Sequence, residues 1–171
     1  MRVSSILSMK GSTVATTAPN APVTEALNEL RLRGVGALVV STDGVHIEGI
    51  VSEREIVHRL AERGEAFIHE PVEAVMITEV VTCQPDDDLQ QLARRMTETR
   101  CRHLPVVVDG QLVGIVSIGD VVKARLTQLE GDVDAIARRI GEQADQRALQ
   151  LASIAGHIGR DEMKNLHGQL N

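Results

Sequence analysis

The sequence predicts an α/β fold: two β-α-β-β-α repeats forming a pseudo-twofold module, followed by a C-terminal helical extension. Three observations predict it. The chain repeats itself at an offset of 66 residues. Within each copy, apolar residues at helical spacing alternate with short runs rich in Val, Leu and Ile. Beyond residue 121 the apolar residues fall instead into a heptad pattern.

The repeat is carried by named positions. Thr16, Pro19, Leu30, Leu38, Val40, Asp43 and Gly44 align with Thr82, Pro85, Met96, Leu104, Val106, Asp109 and Gly110. The first copy then carries one extra residue, so the offset becomes 65 and Gly49-Ile50-Val51-Ser52 meets Gly114-Ile115-Val116-Ser117. Upstream, Val3-Ser4-Ser5-Ile6-Leu7 resembles Val72-Glu73-Ala74-Val75-Met76. Two copies are too few for a solenoid and suggest a pseudo-twofold pair. The division reads as repeat 1 over residues 1–68, repeat 2 over 69–125 and a helical tail over 126–171.

Each copy opens with a short strand, 14–16 or 80–82, that leads through Pro-Asn or Pro-Asp to a helix. Val23, Ala26, Leu27 and Leu30, or Leu89, Leu92, Ala93 and Met96, give that helix one apolar face. An apolar strand follows, 37–40 or 104–108, and then an Asp-Gly pair that signals a hairpin. The return strand, 47–51 or 112–116, runs into a helix that starts at Ser52 or Ser117. Strands alternating with helices imply a small sheet covered by helices.

Composition sets the outer limits. Of 171 residues 43% are hydrophobic, enough for a packed core. Phe67 is the single aromatic residue, with no Tyr or Trp, which excludes aromatic base-stacking platforms and methyl-lysine cages. Lys plus Arg is 18 against 24 Asp plus Glu, a net charge of −6, which argues against nucleic acid or an anionic membrane surface as partner. No apolar run approaches the roughly 18 residues of a membrane span. Residues 1–5 carry no cleavable apolar leader. Cys83 and Cys101 lack zinc-like spacing, and a reducing, cytoplasmic setting is expected.

The stretch from Arg102 to Asp120, RHLPVVVDGQLVGIVSIGD, resembles the core of a cystathionine-β-synthase (CBS) domain. The first copy, ending Gly49-Ile50-Val51-Ser52-Glu53-Arg54-Glu55-Ile56-Val57, resembles its partner. Residues 1 to about 125 are thus similar to a tandem CBS pair, a Bateman module. The resemblance implies regulatory binding of adenine nucleotides (AMP, ADP, ATP, NAD or S-adenosylmethionine) in clefts between the copies. It also implies dimerisation into a disc.

The residues themselves support such a site. The pattern Gly-apolar-apolar-Ser-x-x-Asp places polar groups where a strand enters a helix, and helix N-termini offer free N–H groups and partial positive charge. A carboxylate there can accept from both hydroxyls of a ribose. By resemblance, Asp120 grips the ribose and Ser117 lies near the α-phosphate, while Gly119, without a Cβ, lets the ligand approach the backbone. The competing reading is a helix cap, worth about 1 kcal/mol. Ser52-Glu53-Arg54-Glu55 fits a cap better than Ser117-Ile118-Gly119-Asp120, because Glu is the usual reciprocal partner. Glu55 also departs from the Asp that the family carries, so two ligands of different affinity or kind are expected.

In the family, the carboxylate of one copy works with early segments of the other. For Asp120 this points to Ser12, Thr13, Val14 and Ala15 and to Val35, Gly36 and Ala37, where small residues leave a slot for an adenine ring. For Ser52 and Glu55 the matching segments are 78–81, ending at Val81, and Cys101-Arg102-His103. Arg102 and His103 are expected to face the central cleft, where Arg suits bidentate phosphate contact. An ion pair is the alternative. Arg54 and Lys10 are candidates of the same kind.

The remaining features read plainly. Cys83 and Cys101 align with Thr17 and Val35, positions where a small buried residue suffices. The histidines are scattered without metal-ligand spacing. Asp86-Asp87-Asp88 precedes a helix and suits its positive end. In the tail, Val122, Leu126, Leu129, Val133, Ile136 and Ile140 step by 4, 3, 4, 3 and 4 residues. After a stutter, Ala144, Ala148, Leu151, Ala155 and Ile158 resume the pattern. Self-association, packing on its own module and a partner protein are all open readings of this seam. Taken together the sequence points to a non-enzymatic sensor of adenine nucleotide that signals through a homodimer or the tail, with an unidentified effector protein. The rival reading is a scaffold whose CBS pair only dimerises and whose C-terminal helix binds a partner. An enzyme is disfavoured because no nucleophile–base pair, phosphate loop or metal cluster stands out.

Overall fold

The computed structural model describes the backbone of residues 1–168 and the side chains of residues 1–151. Ala155 and Ile158 of the tail seam therefore lie outside the described side chains. The chain divides into two units, Met1–Ala124 and Arg125–Asn171. The first contains both repeats.

In the first repeat, β1 (Thr16–Thr17) leads to α2 (Val23–Arg33), β2 (Ala37–Val40), β3 (Gly49–Ser52) and α3 (Glu53–Arg63), with α1 (Val3–Lys10) ahead of them. In the second, α4 (Leu89–Glu98) precedes β4 (His103–Val108), β5 (Gln111–Ser117) and α5 (Ile118–Gly168). Strand β1 runs parallel to β2, and β2 antiparallel to β3, with Ala37 opposite Ser52. Strands β4 and β5 form an antiparallel pair with His103 opposite Ser117 and an irregularity between Val106 and Val107.

The expected strand over 80–82 shrinks to a single parallel bridge between Cys83 and Val106. Cys83 N–H donates to the Pro105 carbonyl at 2.9 Å, and Val107 N–H to the Cys83 carbonyl at 2.8 Å. The bridge nevertheless keeps the repeat's register, because Thr17 faces Val40 in the first copy. The expected strand over 14–16 likewise moves to Thr16–Thr17. The two Asp-Gly pairs also differ. Asp109 and Gly110 both take left-handed φ, 51° and 79°, as a two-residue hairpin turn requires. Asp43 instead anchors a wider loop, its carboxylate accepting from the amides of Val45 and His46.

Local chemistry sets the helix ends. Asp88 caps α4 by accepting from the Gln90 and Gln91 amides. Its neighbours are also engaged, Asp86 with Arg2 and Asp87 with Arg95. Gly34 ends α2 in the left-handed conformation, φ 62°.

Two cores form, and they exchange their N-terminal segments. Val3 and Ile6 of α1 pack with Leu89, Leu92, Met96, Leu104, Val106 and Val116 of the second repeat. Phe67 and Val72, in two short 3-10 turns at Glu65–His69 and Val72–Ala74, and Val75 just beyond the second, pack with Val23, Leu30, Leu38 and Val51 of the first. Each fully buried Leu, Ile or Phe contributes about 1.5–3 kcal/mol, so the exchange ties the two repeats together. Phe67, 1% exposed, is stacked beneath the Arg63 guanidinium at 5.5 Å.

Candidate functional site

The site is built where each return strand meets its following helix. In the second repeat, β5 ends at Ser117 and α5 begins at Ile118, whose amide donates to the Arg102 carbonyl at 2.9 Å. In the first, β3 ends at Ser52, and the Glu53 amide donates to the Gly36 carbonyl at 3.2 Å. Each junction is thereby tied to the strand beside it, and the two are equivalent under the repeat.

Asp120, in the first turn of α5, closes a reciprocal cap with Ser117. Its Oδ2 accepts from the Ser117 amide and the Ser117 hydroxyl, both at 2.8 Å, while the Asp120 amide donates to Ser117 Oγ at 3.2 Å. Lys10 Nζ, from the end of α1, completes the cluster at 2.7 Å from Oδ2. Burial works to raise the Asp120 carboxyl pKa, but the Lys10 and Ser117 hydrogen bonds and the Lys10 charge outweigh it. The group is held below its ordinary value.

Here the sequence expectation reverses. The reciprocal cap belongs to Ser117 and Asp120, whereas Ser52 caps no amide of α3. The longer Glu55 side chain reaches the Ser52 hydroxyl, which donates to it.

Asp120 lies on a cleft of about 350 Å³. Of the expected residues, Lys10, Thr13, Ala15, Val35, Gly36, Ala37, His103 and Ser117 line it, together with Gly11, Gly34 and Ile115. The cleft thus joins the second repeat's polar junction to small residues of the first. A second cleft, of about 290 Å³, gathers Ser52, Arg54, Glu55, Cys101, Arg102 and His103 with Gly36. Val14, Val81 and Gly119 line neither cleft. Val81 packs against the second core, and a Cβ on Gly119 would meet only Ser117 Oγ at an ordinary 3.6 Å.

Gly36 and His103 are shared by both clefts. A Cβ on Gly36 would lie 3.2 Å from His103 Cε1. Burial lowers the His103 pKa below its ordinary value; Asp120 and Glu55 pull it up, and Arg54 and Lys10 push it down. The imidazole is therefore neutral near pH 7, able to donate from one nitrogen and accept at the other.

Sequence reading missed Arg100. It lines the second cleft with φ 55°, and its carbonyl accepts from Arg54 Nη1 at 3.0 Å. The signal was present: the 66-residue offset maps Arg100 onto Gly34, the left-handed glycine ending α2. Glu53, Thr99, Ile50 and Ile77 complete that cleft. Cys83 is buried, and burial pushes its thiol up to about 11. Among the described residues no group of three or more His, Cys, Asp or Glu is placed to hold a metal ion, and no helix is long and apolar enough to cross a membrane.

Comparison with known proteins gives this architecture a family. A model of the CBS domain matches residues 3–62 and again 72–127. The chain is similar to the CBS domain-containing protein YhcV of Bacillus subtilis, 34% identical over 119 residues, covering 70% of this chain and 84% of the relative. A crystal structure of a CBS-domain containing protein from Agrobacterium tumefaciens superposes with a TM-score of 0.71 at 42% identity, over 73% of this chain and 99% of that one. The CBS pair of protein MJ0100, solved in complex with 5′-methylthioadenosine and S-adenosyl-L-methionine, matches with a TM-score of 0.65 at 25% identity. It covers 75% of this chain and 98% of that one.

Proposed function

The chain belongs to the CBS domain family, and on that premise we propose that it is a non-enzymatic regulatory module that binds an adenosine ligand in the Asp120 cleft. The ligand class is an adenine nucleotide (AMP, ADP, ATP or NAD) or S-adenosylmethionine. The observation that carries the reading is the Ser117–Asp120 junction opening onto a cleft walled by small residues of the other repeat. All three donors to Asp120 fall on Oδ2, and Oδ1 supplies the acceptor for a ribose diol. The α5 N-terminus and Lys10 favour a phosphate beside it. Without aromatic rings, Val35, Gly36, Ala37 and Ile115 provide the adenine slot. The Glu55 cleft, with Arg54, Arg100 and Arg102, is a second and different site.

The protein acts as a cytoplasmic homodimer in this reading, and a ligand bridging both repeats favours one relative arrangement of them over another. That change is passed to an effector protein. Ligand-free protein titrated calorimetrically with each adenosine ligand gives saturable binding for at least one. No heat with any of them overturns the proposal. A chain without Trp or Tyr absorbs little at 280 nm, so a co-purifying adenine dominates the near-ultraviolet spectrum and mass spectrometry names it.

A further inference from the structure

We propose that the helical tail pairs, parallel and in register, with the tail of a second copy of this chain. The inference is independent of what the clefts bind. Leu126, Leu129, Val133, Ile136 and Ile140 are 54–64% exposed along one continuous helix. Their alternating steps of 3 and 4 residues confine them to a narrow two-position seam with a 3.5-residue period. A helix packing on a globular surface shows a broader stripe at 3.6, whereas this pattern suits a second helix wound around it. Gly131 and Gly141 fall on the outer face, where an added Cβ would meet nothing within 4 Å. Each weakens a lone helix relative to Ala, so the helix depends on packing for its stability.

Charge selects the occupant and its direction. With Leu126, Val133 and Ile140 in one set of layers and Leu129 and Ile136 in the other, Arg125 and Glu130 flank the seam on opposite sides. A parallel, in-register pair sets Arg125 of each copy against Glu130 of the other. The antiparallel pair with the same overlap sets Arg125 against Arg139, Glu130 against Glu130 and Asp132 against Asp132. Like charges at all three places disfavour it.

The test uses the full chain with one added cysteine and oxidised glutathione. Leu129→Cys, in a seam layer, brings two thiols face to face and runs as a covalent dimer on a non-reducing gel. Ala135→Cys, on the outer face, and the parent chain with Cys83 and Cys101 alone do not. In the Leu129→Cys chain, Arg125→Glu lowers the cross-linked yield at least about threefold, and adding Glu130→Arg restores it. Circular dichroism and melting of each variant confirm that the module is folded, since these residues are exposed. Equal cross-linking at 129 and 135, none at 129, or no restoration by the double charge reversal overturns the proposal.

Discussion

Lys10 Nζ lies 2.7 Å from Asp120 Oδ2, so the C-terminal end of α1 is tied directly to the first turn of α5. The pair is partly open to solvent, and it holds Asp120 below its ordinary value of 3.8 against the upward pull of burial. A carboxylate whose folded pKa is depressed adds stability above its unfolded pKa and loses it as pH falls through the folded one. Lys10→Met removes the ammonium and leaves the burial. The variant is expected to be less stable by about 0.5 kcal/mol at pH 7, the size of a solvent-screened ion pair. The gap between the two proteins closes as pH drops below 3.8, which denaturant melts across that range measure.

The two junctions differ in one methylene and in what surrounds them. Asp120→Asn removes the charge that ribose hydroxyls would share, and adenosine-ligand affinity in that cleft is expected to fall at least about tenfold, the range of one charge-assisted hydrogen bond. Glu55→Gln leaves that binding event unchanged, because Glu55 lines the other cleft. Calorimetry on both variants separates the sites. An equal loss in both would mean that one ligand spans the two clefts.

Much of this architecture is legible in the residues alone. Helices α2 and α4 follow from apolar spacing, and β2, β4 and β5 from runs too short and too β-branched for helices. The resemblance of Val3–Leu7 to Val72–Met76 was equally visible. Which core each segment enters was not, because an amphipathic turn does not say which neighbour covers it. Strand 80–82 failed for a related reason: the second copy's sheet pairs there through Cys83 alone. At the site, residue types identified both clefts, but the capping geometry of Ser117 and Asp120 depends on side-chain reach that a motif does not encode. Arg100 was hidden because only the repeat offset, not its own chemistry, marks its left-handed backbone.

That backbone makes a prediction. Arg100 at φ 55° sits where Gly34 does the same work without a Cβ. A non-glycine residue in this region costs roughly 1 kcal/mol. Arg100→Gly relieves that cost but also loosens the unfolded chain. The net expectation is a stability change within about 0.5 kcal/mol. Arg100→Val, β-branched and strained at the same φ, destabilises by more than 1 kcal/mol. Chemical denaturation of both variants gives the comparison.

The exchanged segments rest on two equivalent glycines. A Cβ on Gly114 would lie 2.7 Å from Leu7 Cδ2, and one on Gly49 would lie 2.7 Å from Met76 Sδ and 3.1 Å from the Ile77 carbonyl oxygen. Gly114→Ala is expected to cost about 1–2 kcal/mol by overpacking. In a Leu7→Ala background most of that cost disappears, a coupling above about 0.5 kcal/mol in a double-mutant cycle. Gly49→Ala costs more, because a backbone oxygen cannot rotate away as a leucine methyl can. Equal, uncoupled costs would show that the glycines matter for strand conformation rather than for the exchange.

His103 stands in the wall between the clefts, against Gly36, and its charge state has a direction. Burial lowers its folded pKa below 6.5, the net of Asp120 and Glu55 raising it and Arg54 and Lys10 lowering it. As pH falls below 6.5 the unfolded chain takes up the proton first, so the folded state loses stability until its own lower pKa is passed. His103→Gln keeps a polar side chain of similar reach and removes that titration. The fall in melting temperature between pH 7.5 and pH 5.5, values spanning about one unit on either side of the ordinary His pKa, is therefore expected to be smaller in the variant than in the parent. Gly36→Ala acts on the same ring from the other side: its methyl, 3.2 Å from Cε1, forces the imidazole to shift and alters both clefts together. Ligand affinity in the Asp120 cleft is expected to change in Gly36→Ala even though no charged group has been touched. An unchanged affinity would mean that the ring yields at no cost to the site.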